Sequence, residues 1–396
     1  SAPSDSSENS AVSLRSMSTG KNVFSVEVPK AVRFEYVSFA DFVGSAGSPP
    51  SDSLPEITTK TGIVVPVVSG SQHLKALVKS LFRNTDLPHM FVFVDDCQAA
   101  DNAEFLKGAV RGRDDCILIR NKNNLGPVRS SNIGAEKALE SCSSFVLLDE
   151  NTEVPSGWLG RMLQPLLENE KLSSVIPFSN CCDALSFPFS EKRERNEKFL
   201  SEFRLDGINS AMRKSSCLAY TAVPAANGCC MAFSGNVWRR IGGLNDALFE
   251  SLIGAQKEWS LRAGLDGYRS LLAPGLYVAY HGKNVSAAEE DNGNHASARD
   301  ILSVMFPSYE AHVKDFIREY PLSGSAVSIY LSLARHKGYR TEVFSEPSPF
   351  MARMSGDDGI FVLKAKSITK LAVRLLGETI LVGNARNLER TGIFDA

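Results

Sequence analysis

Four short apolar runs, each closed by a polar or acidic residue, constrain this chain more than any other feature. They lie at 63–68 (IVVPVV), 91–94 (FVFV), 116–119 (CILI) and 145–148 (FVLL). Continuous apolar runs of this length suit strands buried on both faces of a parallel sheet. Between them the periodicity changes. Leu74, Leu77, Val78 and Leu81 share one helical face, 130–142 reads as a helix, and Trp158, Leu159, Met162, Leu163 and Leu166 line another. Strands alternating with helices predict an α/β fold, a mainly parallel sheet covered on both sides. Ligands of such sheets sit beyond the carboxyl ends of the strands. The residues found there are Ser69, the pair Asp95 and Asp96, and the triplet Asp149, Glu150 and Asn151.

The remainder of the 396 residues divides around this unit. Residues 1–20 hold eight serines and almost no large apolar side chain, which predicts a flexible arm. Residues 21–56 combine one or two strands with a linker at 44–55 (GSAGSPPSDSLP), the main domain spans 57–322, and 323–396 form a small α/β subdomain or a partial second domain. In that last part the pattern predicts a helix at 325–337, strands at 342–344, 360–363 and 379–382, and a second helix at 368–376. The mixed-sign run 191–198 (EKRERNEK) suits a solvated helix face.

Charge excludes some partners. With 43 basic and 45 acidic side chains, the chain has no global electrostatic footprint for nucleic acid, and no apolar run approaches the roughly 18–20 residues that span a bilayer. Eight scattered cysteines without a C-x-x-C pair suit buried thiols in a reducing compartment. With no apolar signal core in the first twenty residues, the expectation is a soluble, cytoplasmic protein.

The order of motifs resembles family-2 glycosyltransferases of the GT-A fold, most closely a rhamnosyltransferase-like subfamily. Residues 65–81 (VPVVSGSQHLKALVKSL) look like the opening V-P-V-Y-N strand and helix. The stretch 93–98 (FVDDCQ) stands where V-D-D/N-G-S is usual, and 121–135 (NKNNLGPVRSSNIGA) resembles N-x-x-N-x-G-x-x-x-A-x-N-x-G. The segment 147–159 (LLDENTEVPSGWL) parallels the metal-binding D-x-D-like element. Further on, 176–188 (IPFSNCCDALSFP), 226–231 (ANGCCM), 259–263 (WSLRA), 277–286 (YVAYHGKNVS) and 306–322 are similar to later motifs in the same order.

The resemblance implies inverting transfer of a sugar from a nucleoside diphosphate sugar to an acceptor hydroxyl, on a glycan or another molecule. It also implies a GT-A sheet, Rossmann-like and mixed. Pro66, Val68, Ser69 and Asp95 would hold the base and ribose, closed by Asn124, Gly126 and Asn132. Asp149, Glu150, Asn151 and His281 would hold Mg²⁺ or Mn²⁺, and Asn180, Gly228, Gln256 and Trp259 would line the donor and acceptor pocket. Departures cluster at the chemistry. Asn151 stands where the last D-x-D aspartate is expected, and the usual G-Y-G-E-E-N-D reads LIGAQKE at 252–258. Ala255 and Gln256 thus replace two glutamates, leaving Glu258 as the expected general base. Likewise Asn245 replaces an aspartate in GGLND at 242–246, next to Asp246. A carboxamide keeps the shape of a carboxylate but takes no proton and neutralises no cation. The alternative implied is a catalytically degenerate domain that binds a nucleotide or glycan.

Overall fold

The computed structural model describes residues 10–15, 22–28, 58–70, 72–97, 99–181, 185–188, 193–215, 218, 220–282, 297–319, 322–337, 359–365, 368–375 and 378–384. In chain order the first elements are the strands β1 (Ser10–Arg15), β2 (Asn22–Val28) and β3 (Thr61–Val67), helix α1 (Leu74–Asn84), strand β4 (His89–Asp95) and helix α2 (Ala100–Val110). There follow β5 (Cys116–Arg120), α3 (Pro127–Leu139), β6 (Ser144–Leu148), β7 (Thr152–Glu153), α4 (Trp158–Glu168) and β8 (Leu172–Ser179). The second half runs α5 (Arg193–Phe203), α6 (Leu205–Lys214), β9 (Thr221–Val223), β10 (Cys230–Ser234), α7 (Gly235–Ile241), α8 (Leu252–Leu265) and β11 (Arg269–Tyr280). Helices α9 (Ala298–Met305), α10 (Tyr309–Glu319) and α11 (Ser323–Lys337) precede strands β12 (Gly359–Ala365), β13 (Ile368–Leu375) and β14 (Glu378–Asn384).

Nine strands form one mixed sheet in the order β5-β4-β3-β6-β10-β8-β11-β7, with β9 added on β11. Strands β3, β4, β5 and β6 are mutually parallel, β8 and β11 are parallel, and β10 runs antiparallel between β6 and β8. This is the α/β architecture the resemblance implies. The four apolar runs are its parallel half.

Successive residues of each run feed opposite faces, as the two-residue pleat requires. Val64, Val92, Val94, Phe145 and Leu147 join one core with Phe233, Trp238 and Trp259. Ile63, Val65, Phe91, Phe93, Val146 and Leu148 join the other with Leu74, Leu77 and Trp158. Pro66 sits in a central strand at no cost to the ladder, because β3 pairs with β6 only over Thr61–Val64. Helix α3 lies so close to the sheet that a Cβ on Gly134 would come within 2.3 Å of Val64 Cγ1.

Carboxamides fasten the outer elements. The Asn209 carboxamide on α6 donates to Tyr277 O at 2.9 Å and accepts from Tyr277 N at 3.1 Å, satisfying both backbone groups of one β11 residue. Helix α11 packs on the same core, burying Ala326, Ile329, Tyr330 and Leu333.

Two expectations change at the ends of the chain. Ser10–Arg15, within the arm read as flexible, is β1 and pairs antiparallel with β2. Residues 368–376, read as a helix, contain β13, the middle of the antiparallel meander β12-β13-β14. There the alternation of Ile368, Lys370, Ala372 and Arg374 with Thr369, Leu371, Val373 and Leu375 fits a strand, and outweighs the helical propensity of the leucines. The linker 44–55 and the strand 342–344 lie outside the described residues.

Candidate functional site

The carboxyl ends of β3, β4 and β6 form one edge, and its centre is an acid pair with divided roles. Asp96 is fully buried and anchors the loop after β5, accepting from Asn121 Nδ2 (2.8 Å), Leu125 N (2.9 and 3.0 Å) and Gly126 N (2.8 Å). Gly126, at φ +82°, turns this loop into α3, in a backbone region that side chains disfavour. Asn124 is exposed and adds a second acceptor for Gly126 N at 3.0 Å. Asp95 is 1% exposed, yet neither carboxylate oxygen receives a hydrogen bond among the described residues. Its nearest charge is Arg120 Nε at 3.6 Å. Burial pushes the Asp95 carboxyl above its ordinary range, and Arg120 only partly offsets this.

Glu150 is not presented to a ligand. Its carboxylate accepts from Val68 N (3.3 Å), Ser69 N (2.7 Å), Ser69 Oγ (2.6 Å) and Gly70 N (3.1 Å), tying the end of β6 to the end of β3. Asp149 Oδ1 accepts from Asn151 N at 2.8 Å and Asn151 Nδ2 at 2.9 Å, and burial raises its carboxyl. The His281 amide reaches Asn151 O at 2.9 Å, which brings the three residues together. The His281 ring, however, pairs with Glu153 at 2.9 Å and stacks on His73, ring centroids 5.5 Å apart.

A hard divalent cation needs several convergent oxygen or imidazole ligands. Among the described residues no group of three or more His, Cys, Asp or Glu side chains could hold a metal ion. The expected set Asp149, Glu150, Asn151 and His281 does not supply one. One carboxylate is turned into a loop, one position is a neutral amide, and the imidazole is engaged elsewhere.

The acceptor side is likewise built for structure. Gln256 is fully buried on α8; its Oε1 accepts from Gly228 N at 2.9 Å and its Nε2 donates to Gly228 O at 3.2 Å. A glutamate here could not donate to that carbonyl while ionised. Glu258, expected as the base, points to the α7–α8 side. Both its oxygens are bound by Arg262, at 2.8 and 2.9 Å, and Arg262 also donates to Gly243 O at 2.7 Å and to Ile241 O. Trp259 is core, packed on Phe233 and Trp238 with its indole N–H on Gly242 O at 2.8 Å. Asn180 clamps Tyr280 through N (2.8 Å) and O (2.7 Å), and Asn132 clamps Leu244 in the same way (2.9 and 2.8 Å).

Val68, Ser69, Asp95, Asn124 and Gly126 thus share one edge, whereas Asn132, Glu258 and Trp259 face the helical layer. Sequence reasoning placed Asp96 at the strand-end edge without giving it a role, and did not single out Glu153 or His73. Asp96 carried a signal in its place beside Asp95. Two of the cysteines nearest the edge are poor nucleophiles: burial pushes Cys229 up to about 12 and Cys230 well above its usual range.

Residues 62–221 match the model of glycosyl transferase family 2. The chain is 24% identical over 288 residues to "Inactive polypeptide N-acetylgalactosaminyltransferase-like protein 5" of Mus musculus, covering 65% of this chain and 63% of that protein. It therefore spans less than two thirds of that relative's length. Among solved structures, GalNAc-T7 with UDP, GalNAc and Mn²⁺ aligns at a TM-score of 0.46 and 16% identity, over 70% of this chain and 55% of that one. The mannosyltransferase PcManGT from Pyrobaculum calidifontis, with GDP-Man and Mn²⁺, aligns at 0.42 and 14%, over 77% and 82%. No helix among the described residues is long and apolar enough to cross a membrane. The matched residues 62–221 lie on the mixed, mostly parallel α/β sheet.

Proposed function

We propose that this chain holds a nucleoside diphosphate sugar on a glycosyltransferase fold without transferring the sugar. The observation that carries this reading is Glu258, the one acid left in the 252–258 segment, bound at both oxygens by Arg262. General-base catalysis contributes about 10²–10⁴-fold, and needs a carboxylate within hydrogen-bond reach of the acceptor hydroxyl. Gln256 has no proton-accepting capacity in its place. The name of the mouse relative, an inactive transferase-like protein, points the same way.

Retained binding rests on Asp95, whose buried carboxylate can accept from a nucleobase N–H or ribose hydroxyls. The loop pinned by Asp96 and the 68–70 turn pinned by Glu150 would flank that ligand. Since the described donor set does not fit Mg²⁺ or Mn²⁺, binding is expected to be insensitive to chelation.

Calorimetric titration of UDP, GDP and dTDP and their sugars, with Mn²⁺ and with chelator, tests the reading. Binding without released nucleotide, across glycan and other hydroxyl acceptors, is the expected result. Metal-dependent transfer that Glu258→Gln abolishes would establish an active inverting transferase instead.

A further inference from the structure

Strand β5 is an edge of the sheet: among the described residues it pairs with β4 alone. Its backbone is used on one side only. Phe91 N donates to Asp115 O at 2.8 Å and Asn121 N to Asp95 O at 3.0 Å, which fixes the phase of the parallel ladder. Ile117 and Ile119 therefore turn both N–H and C=O to β4, whereas Cys116, Leu118 and Arg120 turn both away from it. Among the described residues those outward groups have no partner.

Edge strands are normally blunted by Lys, Pro, a bulge or an inward charge. The strand CILIR carries no Pro or Lys, its register to β4 is unbroken, and its one charged residue, Arg120, stands at the end. Ile117, Leu118 and Ile119 are each half-buried. Cys116 and Leu118 pack toward one core, Ile117 and Ile119 toward the other.

This strand is also complementary to itself. Antiparallel strands bond through residues that turn both backbone groups to the partner, and one register alone lets Cys116, Leu118 and Arg120 of two copies all do so. It sets Leu118 against Leu118, Cys116 against Arg120 and Ile117 against Ile119. The same register brings the exposed acid Asp114 to the exposed base Lys122 of the second copy, once on each side of the axis. A two-fold pairing of this kind closes on itself and recruits no further copies.

We infer that β5 is a self-association edge, at which two copies of this chain pair antiparallel about Leu118 and join their sheets into one. A contact limited to two five-residue strands falls below the roughly 1,200 Å² at which stable interfaces begin, so the dimer is weak and reversible. This pairing is independent of the nucleotide-holding reading.

Sedimentation of the full chain from about 5 µM to about 500 µM is the test, and the parent should pass reversibly from monomer to dimer. Lys122→Glu should weaken the dimer about 3- to 30-fold by setting two acids together at each end, and Asp114→Lys added to the same chain should restore it. Leu118→Pro removes an outward N–H and leaves the β4 ladder intact, and should weaken pairing about tenfold or more. In the parent, amide hydrogen exchange at Cys116, Leu118 and Arg120 should slow as concentration rises, with Ile117 and Ile119 unchanged. The charge variants and the exchange pattern read the pairing however well Leu118→Pro folds. A chain that stays monomeric throughout the range, a dimer unmoved by Lys122→Glu, a double variant that does not restore it, or slowed exchange outside the 116, 118 and 120 alternation would overturn the inference.

Discussion

Asp95 and Gln256 show how single side chains here trade stability against binding. Burial raises the Asp95 carboxyl above its ordinary 3.8, so ionising it costs the folded state stability. The cost of ionisation is complete above the raised folded value and is released as pH falls from there toward the unfolded one. Asp95→Asn should therefore raise the melting temperature at neutral pH, by a margin that shrinks toward about pH 4. It should also weaken nucleotide binding about tenfold or more, as for loss of a charged hydrogen bond. Melting curves across pH, with titration at neutral pH, check both. Gln256→Glu reverses the logic. An ionised glutamate leaves Gly228 O without its donor and buries a charge, so the variant should lose at least about 1–3 kcal/mol at neutral pH. Part of that loss should return on acidification, since a protonated carboxyl can donate again. Denaturant unfolding at two pH values measures it, and restored transferase activity would contradict the structural role given to Gln256.

Among the elements, the parallel strands and their covering helices were legible in the sequence because burial on both faces leaves a continuous apolar run. Strand β10 could not be placed from CMAFS alone, since its antiparallel insertion between β6 and β8 is a matter of long-range pairing. Helix α2 was not predicted; only Ala103 and Leu106 on it are fully buried, too few to set a period. The site followed the same division. Motif position marked Asp95, but not that Glu150 would turn back to the 68–70 amides or that Glu258 would close on Arg262, because both depend on partners brought near by folding. Close packing of α3 gives a test at this scale. Gly134→Ala forces a Cβ against Val64 and Val94, and should cost about 1–3 kcal/mol despite alanine's higher helix propensity. Chemical denaturation of the variant checks the sign.

Across the whole molecule, α11 lies beyond the resemblance that ends at residue 322, yet it is bound into the main core. Tyr330 stacks on Phe187 with centroids 5.2 Å apart, and its hydroxyl donates to Pro188 O at 3.2 Å. Tyr330→Ala should cost about 3–5 kcal/mol within a single unfolding transition. A separate early transition in calorimetry would instead make α11 an independent unit. The carboxamide clamps carry a consequence of another kind. Asn132, Asn180, Asn209 and Gln256 each hold a full backbone unit, of Leu244, Tyr280, Tyr277 and Gly228. Amides are among the more heat-labile side chains. Hydrolysis of any one releases ammonia and turns a group that both donates and accepts hydrogen bonds into one that, ionised, only accepts them. Hydrolysis at any of these four would therefore loosen the framework it holds, and a heat-stored preparation should lose tertiary structure in step with acid gained at these positions, read by peptide mass mapping, rather than with total ammonia release.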